Sequence, residues 1–196
     1  LIAVVNSGAR RVPTWLVYAL AVVPPVWLFY AGLTGGLGID PVKAMEQQMG
    51  LLGLQLFIAT LCITPLRRFA GINLIRFRRA LGLITFFYIL CHLLVWLVLD
   101  VQILSQIIAD IYKRPYITVG MAAFVLMIPL AITSNNMSVR RMGAAAWNRL
   151  HWLTYPAVIL GGVHYVMLVK GWQIQPLIYL GVILGLLALR QVPRRR

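Results

Sequence analysis

The chain has 196 residues, 61% of them hydrophobic and only 11% charged, with a formal net charge of +14. A soluble domain carries about 25% charged residues. Composition therefore excludes a water-soluble globule, and with it the nucleic-acid partner that so basic a soluble protein would suggest. The mean hydropathy of +0.87 and apolar blocks of about 20 residues, the length that crosses a bilayer core, describe an all-α polytopic membrane protein.

In chain order, the blocks predict a six-transmembrane-helix bundle, with spans at about residues 14–33, 48–65, 80–99, 116–133, 150–169 and 172–189. Together they make one domain over residues 1–196 and leave no room for a soluble domain beside it. The first block is too long for a signal peptide and carries Pro24 and Pro25 in its apolar run. The numbering opens at Leu1 without an initiator Met. Breaks fall at Gly35, Gly36, Gly38 and Pro41, at Pro115 and at Gly171, where turn chemistry is found. Pro24 and Pro25, Pro129 and Pro156 lie inside blocks and predict kinks, because neighbouring helices can satisfy the carbonyls that prolines free. Between the third and fourth spans, Val101, Leu104, Ile107, Ile108 and Ile111 recur at helical spacing among Gln102, Ser105, Gln106 and Asp110. This predicts a short interfacial helix over residues 100–112 on the outer side; a docking platform and simple lipid contact both fit it. No internal repeat stands out.

Orientation follows from the basic residues. Arg10 and Arg11, then Arg67, Arg68, Arg76, Arg78 and Arg79, then Arg140, Arg141 and Arg149, and finally Arg190, Arg194, Arg195 and Arg196 fall on one side, and only Lys43, Lys113, Arg114 and Lys170 on the other. The positive-inside rule puts the rich side, and both termini, in the cytoplasm. Most of these arginines then set topology and meet anionic membrane lipid.

The three histidines, His92, His151 and His164, all lie in spans or at a span end, and intramembrane ionisable residues point to function. His92 precedes the outward end of its span at Leu99 by seven residues, and His164 precedes Val169 by five. At ~1.5 Å per residue both sit roughly 10 Å inside the outer boundary. Two neutral imidazoles at one level on two helices can supply the axial ligands of a haem iron. Gly161 and Gly162, just before His164, are expected to leave space for a flat macrocycle, and Tyr88 and Trp96 flank His92 on one helix face. The four acids, Asp40, Glu46, Asp100 and Asp110, all fall near outer ends or loops. A proton-coupled transporter would place an acid in mid-membrane, so redox chemistry gains by elimination. Cys62 and Cys91 are not spaced as a metal pair and read as apolar filler.

His151 stands at the cytoplasmic end of the fifth span, roughly 20 Å along the axis from His164 at ~1.5 Å per residue. Arg78 and Arg79 open the third span at that level, and Arg149 is two residues before His151. Two readings stand for these arginines. They mark the boundary, or they bind an anionic group through bidentate bonds, such as haem propionates, the phosphate of FMN, or a quinol headgroup beside His151.

Residues 133–155, T-S-N-N-M-S-V-R-R-M-G-A-A-A-W-N-R-L-H-W-L-T-Y, resemble the ferric-reductase-like transmembrane domain, and R-R-A-L-G-L at residues 78–83 followed by His92 is similar to its third helix. Within that family, size and motifs over about residues 10–190 are most similar to the haem-binding membrane subunits of bacterial periplasmic protein-methionine-sulfoxide reductase systems. The resemblance implies an inner-membrane electron conduit carrying haem b and bound FMN. Its donor would be a quinol or a cytoplasmic flavin reductase, and its partner a periplasmic molybdenum-containing methionine-sulfoxide reductase subunit. On matching positions His92, His151 and His164 would be the haem-ligand histidines. Two-haem members carry two histidines on each ligand helix, whereas here the third span offers only His92, with Arg78 or Arg79 at the inner level; a second haem at His151 lacks an obvious imidazole partner. Two alternatives stay open: a cytochrome b anchor subunit of another dehydrogenase, and a metal or small-solute transporter using the histidines without haem.

Overall fold

The computed structural model describes residues 2–169, 171 and 173–191. Lys170, Arg194, Arg195 and Arg196 of the charge count, and Trp172 at the predicted start of the last span, lie outside the described residues. The helices are α1 (Ile2–Arg11), α2 (Thr14–Leu33), α3 (Pro41–Phe69), α4 (Arg78–Leu94), α5 (Leu104–Lys113), α6 (Pro115–Ile132), α7 (Asn136–Met142), α8 (Ala144–Leu150), α9 (Thr154–Leu168) and α10 (Ile174–Gln191). Among the described residues there is no strand. Among the described residues, four stretches are long and apolar enough to cross a membrane: Thr14–Leu33, Pro41–Phe69, Ile75–Val101 and Pro115–Ile132. α10 is a shorter apolar helix, and α9 has 15 residues. The all-α polytopic class read from the sequence is what the chain adopts. It divides into two compact units, Leu1–Ala109 and Asp110–Arg196, with the sequence boundary inside α5.

In the first unit, α2 matches its predicted bounds and keeps Pro24 and Pro25 within it. Pro25 has no N–H, so the Ala21 carbonyl one turn earlier loses its helical donor. The Tyr88 hydroxyl, from α4, donates to that carbonyl at 2.8 Å. Tyr88 belongs to the buried core of this unit with Leu28, Met45, Met49, Ile84 and Val95. A neighbouring helix thus supplies what the proline removes, as the sequence reading requires.

α3 starts at Pro41 and ends at Phe69, seven residues before and four after the predicted 48–65. Asp40 caps it, accepting from the Lys43 amide at 3.0 Å, and Pro41 occupies the first turn, where no N–H is missed. The polar Lys43–Gln48 stretch reads as loop by hydropathy. It is helical because Lys43 pairs with Glu46 at 2.9 Å, which lets Glu46 sit only 7% exposed. α3 and α4 pack closely at Gly53, where an added Cβ would fall 2.5 Å from Ile89 Cδ1; small residues let membrane helices approach this way.

The third span continues past α4 as a π-helix, Val95–Val101, which ends at Gln102 with φ 60°. The helix expected over residues 100–112 is α5, which starts at Leu104 and not at residue 100, because the π-helix occupies the first part of that stretch. α1 was not foreseen. It is tied to the loop after α3: Asn6 donates to the Gly71 carbonyl at 3.0 Å and accepts from the Asn73 amide at 2.8 Å, while Arg76 donates to the Ala9 carbonyl at 3.2 Å.

In the second unit, α6 retains Pro129 internally. The segment read as a loop before the fifth span holds two short helices, α7 and α8, split by Gly143 at φ +77°. Asn135 caps α7 through the Ser138 amide at 2.8 Å. The fifth span is not one α-helix from residue 150. A 3-10 turn, His151–Leu153, precedes α9, so Pro156 lies in the first turn of α9, where a missing N–H costs little. The change of helix type falls in that turn, directly before Pro156.

Candidate functional site

His92 is carried on α4 and reaches across to α3. Its Nδ1 lies 2.8 Å from the Glu46 carbonyl oxygen. A carbonyl can only accept, so Nδ1 carries the hydrogen and the ring lone pair is on Nε2. The ring lies over Gly50, where an added Cβ would come 3.0 Å from Nδ1 and 3.2 Å from Cε1.

His164 is held in the same manner within the second unit. It is carried on α9 and its Nδ1 lies 2.7 Å from the Tyr116 carbonyl oxygen on α6. The ring lies over Gly120, with a notional Cβ 2.7 Å from Nδ1, and beside the Tyr116 ring at 6.1 Å between centroids. By the same logic its lone pair is also on Nε2. This donor set suits haem iron, which takes imidazole, and a carbonyl accepting from the far ring nitrogen fixes ring orientation and raises ligand basicity.

His151 differs. It lies in the 3-10 turn before α9, stacked on Trp147 with centroids 3.7 Å apart and planes 26° apart. Its Nε2 is 3.1 Å from Thr133 Oγ1. The Thr133 hydroxyl is also 2.7 Å from the Pro129 carbonyl, which the Thr133 amide reaches as well at 3.0 Å. Trp147 Nε1 donates to the Thr133 carbonyl at 2.8 Å, which fixes the stack. One turn on from His151, Tyr155 lies beneath the Arg190 guanidinium at 5.5 Å.

Of the arginines singled out in the sequence, Arg149 is exposed on α8, two residues from His151, and Arg78 and Arg79 are exposed at the start of α4. Tyr88 is engaged with the Ala21 carbonyl, and Trp96 is buried in the π-helix. Gly162 does not leave room for a macrocycle: it faces α10, where a Cβ would meet Ile183 Cδ1 at 3.0 Å and Leu180 Cδ1 at 3.1 Å. Its small size serves helix packing. The sequence reading missed Gly50, Gly120, Thr133 and Trp147. The sequence carried a signal for the two glycines alone, as mid-helix glycines with no turn to make. Among the described residues, no three His, Cys, Asp or Glu side chains gather to hold a metal ion.

The family described as ferric reductase like transmembrane component matches residues 48–162. The protein-methionine-sulfoxide reductase heme-binding subunit MsrQ of Brucella anthropi is 48% identical over 179 residues, covering 91% of this chain and 81% of the relative. The subunits of the same name from Brucella ovis and Brucella suis are 49% identical over 177 residues, covering 90% of this chain and 80% of each relative. No solved structure matches the chain.

Proposed function

The chain belongs to the ferric reductase like transmembrane component family and, within it, to the group of MsrQ subunits, and from that premise we propose that it is the haem-binding membrane subunit of a methionine-sulfoxide reductase system. It takes electrons from a quinol or a cytoplasmic flavin reductase and passes them to a periplasmic molybdenum-containing reductase subunit. The span blocks and the split of basic residues support six spans with both termini in the cytoplasm of a bacterial cell, in the inner membrane.

The observation that carries this reading is the shared tautomer of His92 and His164, each with Nδ1–H on a carbonyl and its lone pair on Nε2. We assign both as the residues that would hold haem b iron. When bound, the haem supplies a one-electron iron couple in a low-dielectric setting. The protein's own part is to orient each imidazole through its Nδ1–H on a carbonyl, so that neither ring must reorganise to bind.

His151, stacked on Trp147 and hydrogen-bonded to Thr133, serves the cytoplasmic side as a hydrogen-bonding group. Arg149, Arg78 and Arg79 lie on the basic side with it and suit an anionic group such as the FMN phosphate. The test is a reduced-minus-oxidised spectrum of the purified chain with haem and flavin quantified per chain. A b-type haem spectrum with bound FMN supports the reading, haem without flavin removes the FMN assignment, and no haem overturns it.

A further inference from the structure

We infer that Gly50 and Gly120 are positioning residues, each absent of side chain so that an imidazole can lie along the helix and lock to the carbonyl one turn earlier. The inference rests on the assignment of His92 and His164 as haem ligands and adds the residues that set their geometry.

In an α-helix the carbonyl of residue i lies beneath residue i+4 on the same face. Glu46 and Gly50 stand in this relation on α3, and Tyr116 and Gly120 on α6. A ring that bonds the Glu46 or Tyr116 carbonyl must therefore pass over the Cα of residue 50 or 120. The distances bear this out. A Cβ at Gly50 would meet His92 Nδ1 at 3.0 Å and Cε1 at 3.2 Å, and a Cβ at Gly120 would meet His164 Nδ1 at 2.7 Å and Cε1 at 2.9 Å.

Neither glycine is needed for backbone shape, since the glycines at positive φ are Gly35, Gly38, Gly71, Gly143 and Gly171. A mid-helix glycine costs about 1 kcal/mol against alanine, and at these two positions the imidazole occupies the place a Cβ would take. The space differs in kind from that at Gly53, where the nearest atom is the tip of Ile89. An isoleucine tip can rotate away, whereas an imidazole cannot move without lengthening its hydrogen bond. Both units use the same device on different helix pairs, α3 with α4 and α6 with α9. The histidine follows its carbonyl by 46 residues in one and 48 in the other. E-Q-Q-M-G and Y-I-T-V-G share only the final glycine, which explains why no repeat is visible in the sequence.

The test uses the full chain in lipid nanodiscs with Gly50→Ala, Gly120→Ala, Gly53→Ala and Gly82→Ala; Gly82 has open space around its Cα. Two readouts are taken: haem affinity by titration into haem-depleted protein, and the histidine tautomers by nitrogen-15 NMR of that protein. Removing an outer-shell partner of a metal ligand typically costs about 10–100-fold in affinity. Gly120→Ala, the tighter of the two sites, is expected to lose that much and to lose the Nδ1–H signal of His164. Gly50→Ala should act in the same direction on His92, and less strongly. Gly53→Ala should lower stability yet keep both tautomers and the affinity of the folded fraction, and Gly82→Ala should change nothing. If the Gly50 and Gly120 variants behave as Gly53→Ala does, the inference is overturned. The unmodified chain is a separate check that needs no variant to fold: Nδ1–H at His92 and His164 is expected, and Nε2–H at either overturns it. Haem retained in full by His92→Ala and His164→Ala would instead remove the ligand assignment, while the tautomer measurement would still decide the role of the glycines.

Discussion

Replacing Tyr88 by Phe removes one hydroxyl from the first unit and tests how the chain accommodates Pro25 inside a span. The hydroxyl donates to the Ala21 carbonyl at 2.8 Å, standing in for the amide that Pro25 does not have. Tyr88 is only 2% exposed, so water cannot replace it. A net hydrogen bond is worth about 0.5–1.5 kcal/mol, and an unsatisfied buried acceptor costs about 1–3. Measured interhelical bonds in membranes lie toward the lower end, about 0.6 kcal/mol on average and about 1.7 at most. Tyr88→Phe should therefore cost about 1 kcal/mol in unfolding by SDS in mixed micelles. The decisive arm is the same change in a Pro25→Ala background, where residue 25 regains its N–H and the Ala21 carbonyl its helical partner. There Tyr88→Phe should cost much less, giving a coupling of roughly 1 kcal/mol in the double-mutant cycle. An equal cost in both backgrounds would refute the account of how this span accommodates Pro25.

Reporter fusions after Arg79 and after Arg141 should read as cytoplasmic and a fusion near Gln106 as periplasmic; the reverse pattern would undo the depth argument for His92 and His164. His151→Ala or Arg78→Ala should slow haem reduction by the cytoplasmic-side donor and leave the haem liganded by His92 and His164 bound. Stopped-flow reduction with cofactor content measured in parallel checks this, and normal rates with unchanged content would reduce both residues to markers of the membrane boundary.

The parts of the fold that the sequence made legible are those governed by bilayer thickness. α2, bounded by Pro13 before it and glycines after it, was read to the residue, because an apolar block has one way to meet a membrane. α3 was cut short at both ends because hydropathy averages over polar side chains and cannot see that Lys43 and Glu46 neutralise one another. The Asp40–Pro41 pair, a cap followed by a first-turn proline, was the local signal that places its start. α7 and α8 are too short to register in a span-length window, although Asn135 and Gly143 punctuate them.

The histidines were legible as residues and by depth, but their chemistry was not. Their partners are the main-chain carbonyls of Glu46 and Tyr116, and a carbonyl carries no residue identity. Only the glycine one turn further on leaves a trace in the sequence. The Thr133 partner of His151 was hidden for a related reason, since no spacing in the sequence pairs two residues 18 apart across a turn.

The central claim is that His92 and His164 bind haem iron through Nε2. Its most direct test is haem per chain, with the reduced-minus-oxidised spectrum, in His92→Ala and His164→Ala beside the unmodified protein. Each change removes a lone pair that alanine cannot replace, so each variant should insert normally and lose the six-coordinate b-type spectrum, with haem content falling severalfold or more. Full haem content with an unchanged spectrum in either variant would contradict the claim.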